Sequence, residues 1–148
     1  MKFGHFFSLV SVMVFSACSN SSEVYSDKEG IAINGYDPVA YFTENTPVLG
    51  RSDLEYSWRG ATWRFSNEQH LKQFQTEPDK YAPQYGGYCA FGLSNGYKAS
   101  TSPDAWTIVD GKLYLNYNKD VRGEWLPKKD ELIVKADSNW TAIRLKPM

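Results

Sequence analysis

The sequence is poor in the side chains that bind metal ions or act as nucleophiles. Its 148 residues include two cysteines, Cys18 and Cys89, and two histidines, His5 and His70. It contains no Walker loop, no Gly-x-Gly-x-x-Gly motif after a strand and no Cys-x-x-Cys pair. Neither charge dominates, because 16 basic side chains stand against 17 acidic ones. These absences argue against the common phosphate loops, a dithiol redox centre and a nucleic-acid partner.

The sequence also has no apolar run of the about 20 residues that a membrane-spanning helix needs. Near its start, Lys2 precedes a short apolar run over residues 6–14, which small residues and Cys18 follow. This order predicts an export signal over residues 1–17 that is removed from the mature protein. The order Ser-Ala-Cys resembles the bacterial lipobox, which implies a lipoprotein signal peptide and a lipid on Cys18. The alternative is ordinary signal cleavage, which leaves Cys18 as a free thiol.

The resemblance to lipoproteins implies where the protein lies. It would be exported to the cell envelope and held at a membrane by its lipid. Ser19, rather than aspartate, follows the cysteine, and this implies an outer-membrane lipoprotein that faces the periplasm. Residues 18–30 are small and polar, which predicts a flexible tether. The length of the remainder predicts one folded domain over residues 31–148.

Two pairs of β-rich segments predict two hairpins. The first pair flanks Arg59-Gly60 and predicts a hairpin over Leu54–Phe65. The second flanks Asp110-Gly111, a favoured pair for a tight type I′ turn.

Helical spacing appears between and after these hairpins. Ser66 and Gln69 have the spacing of a capping box at the start of a helix that ends before Pro78. Asn118 is placed to cap a second helix, and Pro127 separates this helix from a final one. Aromatic side chains make up 16% of the chain. We therefore predict a small α+β domain of short antiparallel β-hairpins packed with a few helices around an aromatic-rich core.

Three stretches of the sequence resemble the YHS domain family, and more closely its exported bacterial branch. They are GYDPVAYF, WRGATWRFSNEQHLKQFQTEPDKYAPQYGGYCAFG and AWTIVDGKLYLNY, which occur in the family's order. The resemblance covers about residues 36–125 and implies a YHS-like domain with a C-terminal helical extension. The family is associated with small metal-binding modules, some of them attached to copper-transporting ATPases.

The chain departs from the metal-binding members at the positions of their cysteines. The framework residues of the family pattern are Phe65, Phe74, Pro78 and Tyr81. The three cysteine positions hold Ala40, Ser66 and His70. Alanine cannot ligate a metal, and a neutral serine hydroxyl is a poor ligand for soft ions. The resemblance therefore favours a non-enzymatic, membrane-tethered binding domain without a cofactor, whose partner is an envelope protein or a small ligand.

Cys89 leaves three interpretations open. In the first, it joins His70 in a two-coordinate copper(I) site or a zinc site, and the protein is a metal-handling lipoprotein. In the second, it is a small buried hydrophobe; the simplest interpretation of His70 is a residue that faces solvent or lies at the rim of an amphipathic helix. Cys89→Ser is then expected to cost more stability than Cys89→Ala. In the third, His70 activates Cys89 as a nucleophile, although no thiol-protease signature surrounds either residue.

The aromatic residues leave two further interpretations open. Some of their rings either line a groove for a small ligand or partner, or bury their bodies in the core and keep only polar tips wet. The rings in question are Tyr36, Tyr41, Trp58, Trp63, Tyr85, Tyr88 and Trp106.

Overall fold

The computed structural model of the protein describes residues 22–148. The predicted signal peptide and the predicted lipidation site at Cys18 lie outside the described residues. The described chain is α+β, with two antiparallel hairpins packed with short helices and clusters of aromatic rings, as predicted. None of its helices is long and apolar enough to cross a membrane.

Both predicted hairpins are present. Strands β1 (Arg51–Trp58) and β2 (Ala61–Phe65) pair antiparallel, and so do β3 (Trp106–Val109) and β4 (Lys112–Leu115). Each turn has two residues with positive φ: +48° and +75° at Arg59-Gly60, and +50° and +73° at Asp110-Gly111. Two positive φ values define a type I′ turn, whose twist matches that of the flanking strands.

The helices are short, except for the last. They are α1 (Ala40–Thr43), α2 (Glu68–Thr76), α3 (Pro78–Tyr81), α4 (Ala90–Ser94), α5 (Lys119–Trp125) and α6 (Lys129–Ile143). The predicted cap of α5 is confirmed, because Asn118 Oδ1 accepts from the Val121 amide at 2.8 Å. The predicted cap of α2 is wrong. Asn67 Oδ1 accepts from the His70 amide at 2.8 Å, while the Ser66 hydroxyl turns to Asp37.

Aromatic rings fill two hydrophobic clusters. In the first, Phe74 of α2 packs against Trp63 and Phe65 of β2, with ring centroids 5.1 and 5.2 Å apart. In the second, Tyr114 of β4 packs against Trp125 of α5 at 5.5 Å. All seven rings that the sequence left open are buried or half-buried, and large rings contribute much of the apolar area of a small core.

Residues 22–30 pack on the domain, so the flexible tether predicted for residues 18–30 extends too far, and the domain boundary at Ile31 is too late. Val24 is buried in the first cluster, and the Tyr25 amide donates to Gly86 O at 2.9 Å. A Cβ on Gly86 would lie 1.7 Å from Glu23 O, so only glycine allows this approach. The segment is polar in composition, but one buried valine and several backbone hydrogen bonds hold it on the domain.

Candidate functional site

An apolar pocket of about 320 Å³ lies beside Cys89. All seven residues that line it are uncharged: Cys89, Phe91, Gly92, Tyr97, Ala99, Tyr117 and Val121. Tyr97 and Tyr117 are 54% and 53% exposed, which is unusual for large rings in this chain. The pocket therefore joins buried apolar groups to two tyrosines that face solvent.

Local structure places Cys89 at the first turn of α4, a helix that the sequence analysis did not predict. Its sulfur accepts from the Gly92 amide at 3.5 Å, so Cys89 caps the helix, and its own amide donates to Ala99 O at 3.0 Å. Gly92 lets Tyr97 fold back closely, since a Cβ there would lie 3.1 Å from the Tyr97 ring. The capping residue Cys89, Gly92 and the Tyr97 ring together form one wall of the pocket.

Cys89 is only 2% exposed, and its thiol has polar partners. It donates to Asn116 Oδ1 at 3.6 Å. Burial raises the pKa of the Cys89 thiol, although backbone hydrogen bonds from Gly92, Tyr117 and Phe91 act in the opposite direction. A thiol with a raised pKa stays protonated near neutral pH and is a poor nucleophile. Cys89 thus has the environment of a small buried hydrophobe.

Asn116 supports the pocket from behind. It is fully buried, and its Oδ1 accepts from both the Cys89 thiol and the Phe91 amide, the latter at 3.1 Å. Within residues 22–148, its Nδ2 has no hydrogen-bond partner. Leaving a buried donor unpaired is costly, yet the position of Asn116 orients two lining residues.

His70 is buried beside Asp37, and the expectation of a solvent-facing histidine is wrong. His70 Nδ1 lies 2.6 Å from Asp37 Oδ2, and Nε2 lies 3.1 Å from Thr43 Oγ1. The order hydroxyl, imidazole, carboxylate is that of a hydrolytic triad. However, the Thr43 hydroxyl also donates to Val39 O at 3.2 Å, within the turn that begins α1.

The buried Asp37 carboxylate is the centre of this network. Ser66 donates to Oδ2 through its hydroxyl at 2.7 Å and its amide at 2.8 Å, and the amides of Val39 and Ala40 donate to Oδ1 at 2.9 and 3.3 Å. Ala40, Ser66 and His70 are the three positions at which the YHS resemblance implies cysteine. All three donate hydrogen bonds to one carboxylate here, or lie within hydrogen-bond distance of it. The central place of Asp37 does not follow from the sequence, in which its only signal is the turn-forming Asp37-Pro38 pair.

The residues do not fit a zinc ion. A tight zinc site takes four nitrogen or sulfur ligands, and in the part of the chain that the structure describes, no group of three or more His, Cys, Asp or Glu side chains could hold a metal ion. The hydrogen-bond partners of His70 and Cys89 form separate sets. Ligation by either nitrogen of His70 would displace Asp37 or Thr43. A two-coordinate site on Cys89 and His70 stays a prediction.

Comparison of the chain with protein-family models, curated proteins and solved structures finds no significant match. The resemblance to YHS domains therefore also stays a prediction.

Proposed function

We propose that this protein is a non-enzymatic binding domain of the cell envelope, tethered to a membrane by lipid on Cys18. Its binding site is the pocket beside Cys89, and its ligand is a small molecule with an apolar or aromatic body. The observation that carries this proposal is the uncharged pocket that opens beside the exposed Tyr97 and Tyr117.

The form of the pocket supports a small ligand. Its volume of about 320 Å³ falls at the lower end of the range of roughly 300–1,000 Å³ for small-molecule sites. Tyrosine rings offer a flat apolar face with a hydroxyl that remains in water. A ligand with an aromatic ring would stack on Tyr97 or Tyr117 and cover Phe91 and Val121.

The chemistry of the available groups supports binding rather than catalysis. The Cys89 thiol is buried with a raised pKa, so little thiolate forms near neutral pH. Both ring nitrogens of His70 already have partners in the Asp37 network. Neither residue is among the other's hydrogen-bond partners within residues 22–148.

An NMR titration tests the proposed pocket. Indole and 4-methylphenol, two small aromatic probes, are added to the ¹⁵N-labelled protein while the amide signals of Phe91, Gly92 and Tyr117 are followed. We expect saturable shifts at these amides. Tyr97→Ala and Tyr117→Ala each remove one ring contact of about 0.5–1.5 kcal/mol, which is a loss of affinity of roughly two- to tenfold.

Val134→Ala is the matched control, because Val134 is an exposed apolar residue outside the pocket. It should leave both affinities unchanged. Shifts that never saturate, or that persist unchanged in the two tyrosine variants, would refute the pocket as the binding site. Intact-mass analysis of the membrane-extracted protein tests the tether separately, since lipid on Cys18 adds the mass of its acyl chains and Cys18→Ala prevents this.

A further inference from the structure

Lys98 joins the first and last described segments of the chain. Its ammonium donates to the carbonyl oxygens of Ser22 at 3.0 Å, Arg144 at 2.8 Å and Lys146 at 2.5 Å. It also lies over the rings of Tyr88 and Trp140, 4.9 and 5.9 Å from their centroids. The residues around Ser22 are thereby held beside the residues that follow α6.

Two further contacts fix this arrangement. Arg144 Nη1 lies 3.2 Å from Glu23 Oε1, and the Tyr88 hydroxyl donates to Ser22 O at 3.1 Å. Met148 lines one surface cavity of about 270 Å³ together with Ser22 and Tyr88. The segment Leu145–Met148 thus lies at the same end of the domain as Ser22.

This end of the domain exposes large apolar side chains. Leu145 is 60% exposed and Met148 is 73% exposed. Its charges nearly cancel, since four basic side chains stand against three acidic ones: Lys28, Lys98, Arg144 and Lys146 against Glu23, Asp27 and Glu29. A partner of this surface would therefore be bound through apolar contact rather than through a charge of one sign.

The length of chain before Ser22 limits what can cover this surface. Only residues 19–21 separate Ser22 from Cys18. Four residues of fully extended chain span at most about 14 Å. If Cys18 carries lipid in a membrane, Ser22 must lie within that distance of it, and the end of the domain around Ser22 lies close to the lipid surface.

We propose that the end of the domain formed by Ser22–Lys28 and Leu145–Met148 docks on a phospholipid bilayer, with Leu145 and Met148 inserted at the level of the headgroups. The protein then contacts the membrane twice, through its lipid and through its folded surface. Apolar side chains at the edge of a bilayer add buried apolar area to the anchoring that the acyl chains on Cys18 would provide. This proposal rests on the proposed lipidation of Cys18.

Spin labels on the full-length lipoprotein in phospholipid vesicles test the docking. Nitroxide is attached to Leu145→Cys and Met148→Cys, and to the controls Leu49→Cys and Val134→Cys, which replace exposed apolar residues elsewhere. Cys89 is buried and Cys18 is blocked by lipid, so the label reports the new cysteine. We expect collisions with a water-soluble nickel chelate to be several-fold fewer at positions 145 and 148 than at the controls, and collisions with oxygen to be more frequent.

The two proposals fail in different ways. Equal nickel accessibility at all four positions, in protein whose mass shows lipid on Cys18, would overturn the docking surface and leave the tether intact. Membrane-extracted protein without lipid on Cys18 would overturn the tether and the docking surface together.

Discussion

Replacement of Asp37 is the sharpest test of how this fold is held together. The buried carboxylate accepts from the amides of Val39, Ser66 and, at 3.3 Å, Ala40. It also accepts from the Ser66 hydroxyl, and it lies 2.6 Å from His70 Nδ1. Asp37→Ala removes both oxygens at once. The hydroxyl can rotate and the imidazole can change its tautomer, but the amides are fixed by the backbone. The amides of Val39 and Ser66 make the two shorter bonds, at 2.9 and 2.8 Å.

The cost can be worked from those two amides. Each buried donor left without an acceptor costs about 1–3 kcal/mol, so Asp37→Ala should lower the free energy of unfolding by roughly 4 kcal/mol. A domain of this size is stable by about 5–15 kcal/mol in total, and the variant should therefore be close to unfolding. Asp37→Asn keeps one acceptor oxygen and presents an NH₂ group to the other donors, so about 1–3 kcal/mol is expected.

Urea unfolding followed by tryptophan fluorescence measures these differences. Asp53→Ala is the matched control, because Asp53 is exposed and its pair with Arg51, at 2.6 Å, lies at the surface. Surface pairs contribute about 0–1 kcal/mol. A loss below about 1 kcal/mol for Asp37→Ala, within the surface-pair range, would refute the reasoning that this carboxylate organises the segment around α1 and α2.

Three other predictions follow from residues around the pocket and the first described segment. Cys89→Ala should lower the free energy of unfolding by about 0.5–2 kcal/mol because it removes the cap of α4. Cys89→Ser should lower it less, since a hydroxyl can replace the sulfur between Asn116 and Gly92. Equal urea midpoints for the two variants would contradict this. Iodoacetamide should modify Cys89 in denatured protein but only slowly in native protein at neutral pH, as followed by intact mass; rapid native alkylation would show an accessible thiolate. Gly86→Ala should unfold at a clearly lower urea concentration than Gly60→Ala, a control whose Cβ meets nothing within 4 Å and whose φ is also positive.

Metal analysis tests the remaining interpretation, a copper or zinc site on Cys89 and His70. Protein purified without chelators should contain no stoichiometric copper or zinc, and added Cu(I) or Zn(II) should leave its melting temperature unchanged. Stoichiometric metal that is lost in both Cys89→Ala and His70→Ala would restore the metal-handling alternative.

The features predicted correctly from sequence are those decided by neighbouring residues. The turn at Asp110-Gly111 needs two residues that tolerate positive φ, and both are adjacent in the chain. Asn118 caps α5 through an amide three residues away. The hairpin around Arg59-Gly60 follows from the same turn chemistry. The sequence predicts the two hairpin turns and the cap of α5 because the interacting groups lie within a few residues of one another in the chain.

The features that the sequence did not reveal depend on distant contacts. Ser66 and Asn67 are both good capping residues, and the choice between them is made by Asp37, 29 residues before Ser66. His70 is buried because it pairs with the same Asp37 carboxylate. The exposure of a ring is also a tertiary property. The seven rings proposed from sequence for a groove are buried or half-buried, whereas Tyr97 and Tyr117, which were not among them, are exposed.

The expected order of the Cys89 variants illustrates this limit. An apolar neighbourhood of Tyr88, Ala90 and Phe91 favours alanine over serine when no partner for a hydroxyl is known. The structure supplies Asn116 Oδ1 as an acceptor and the Gly92 amide as a donor. With these two partners we predict the opposite order of the variants, and the acceptor that allows it lies 27 positions from Cys89 in the chain.

The packing of Val24 and Tyr25 on the domain has a consequence for where the protein can work. A long, flexible linker after the lipid would let the pocket reach a partner at some distance from the membrane. If Cys18 carries the proposed lipid, only residues 19–21 separate it from Ser22. The domain would then stay at the lipid surface, and a ligand of the proposed pocket would have to diffuse to that surface or already reside there.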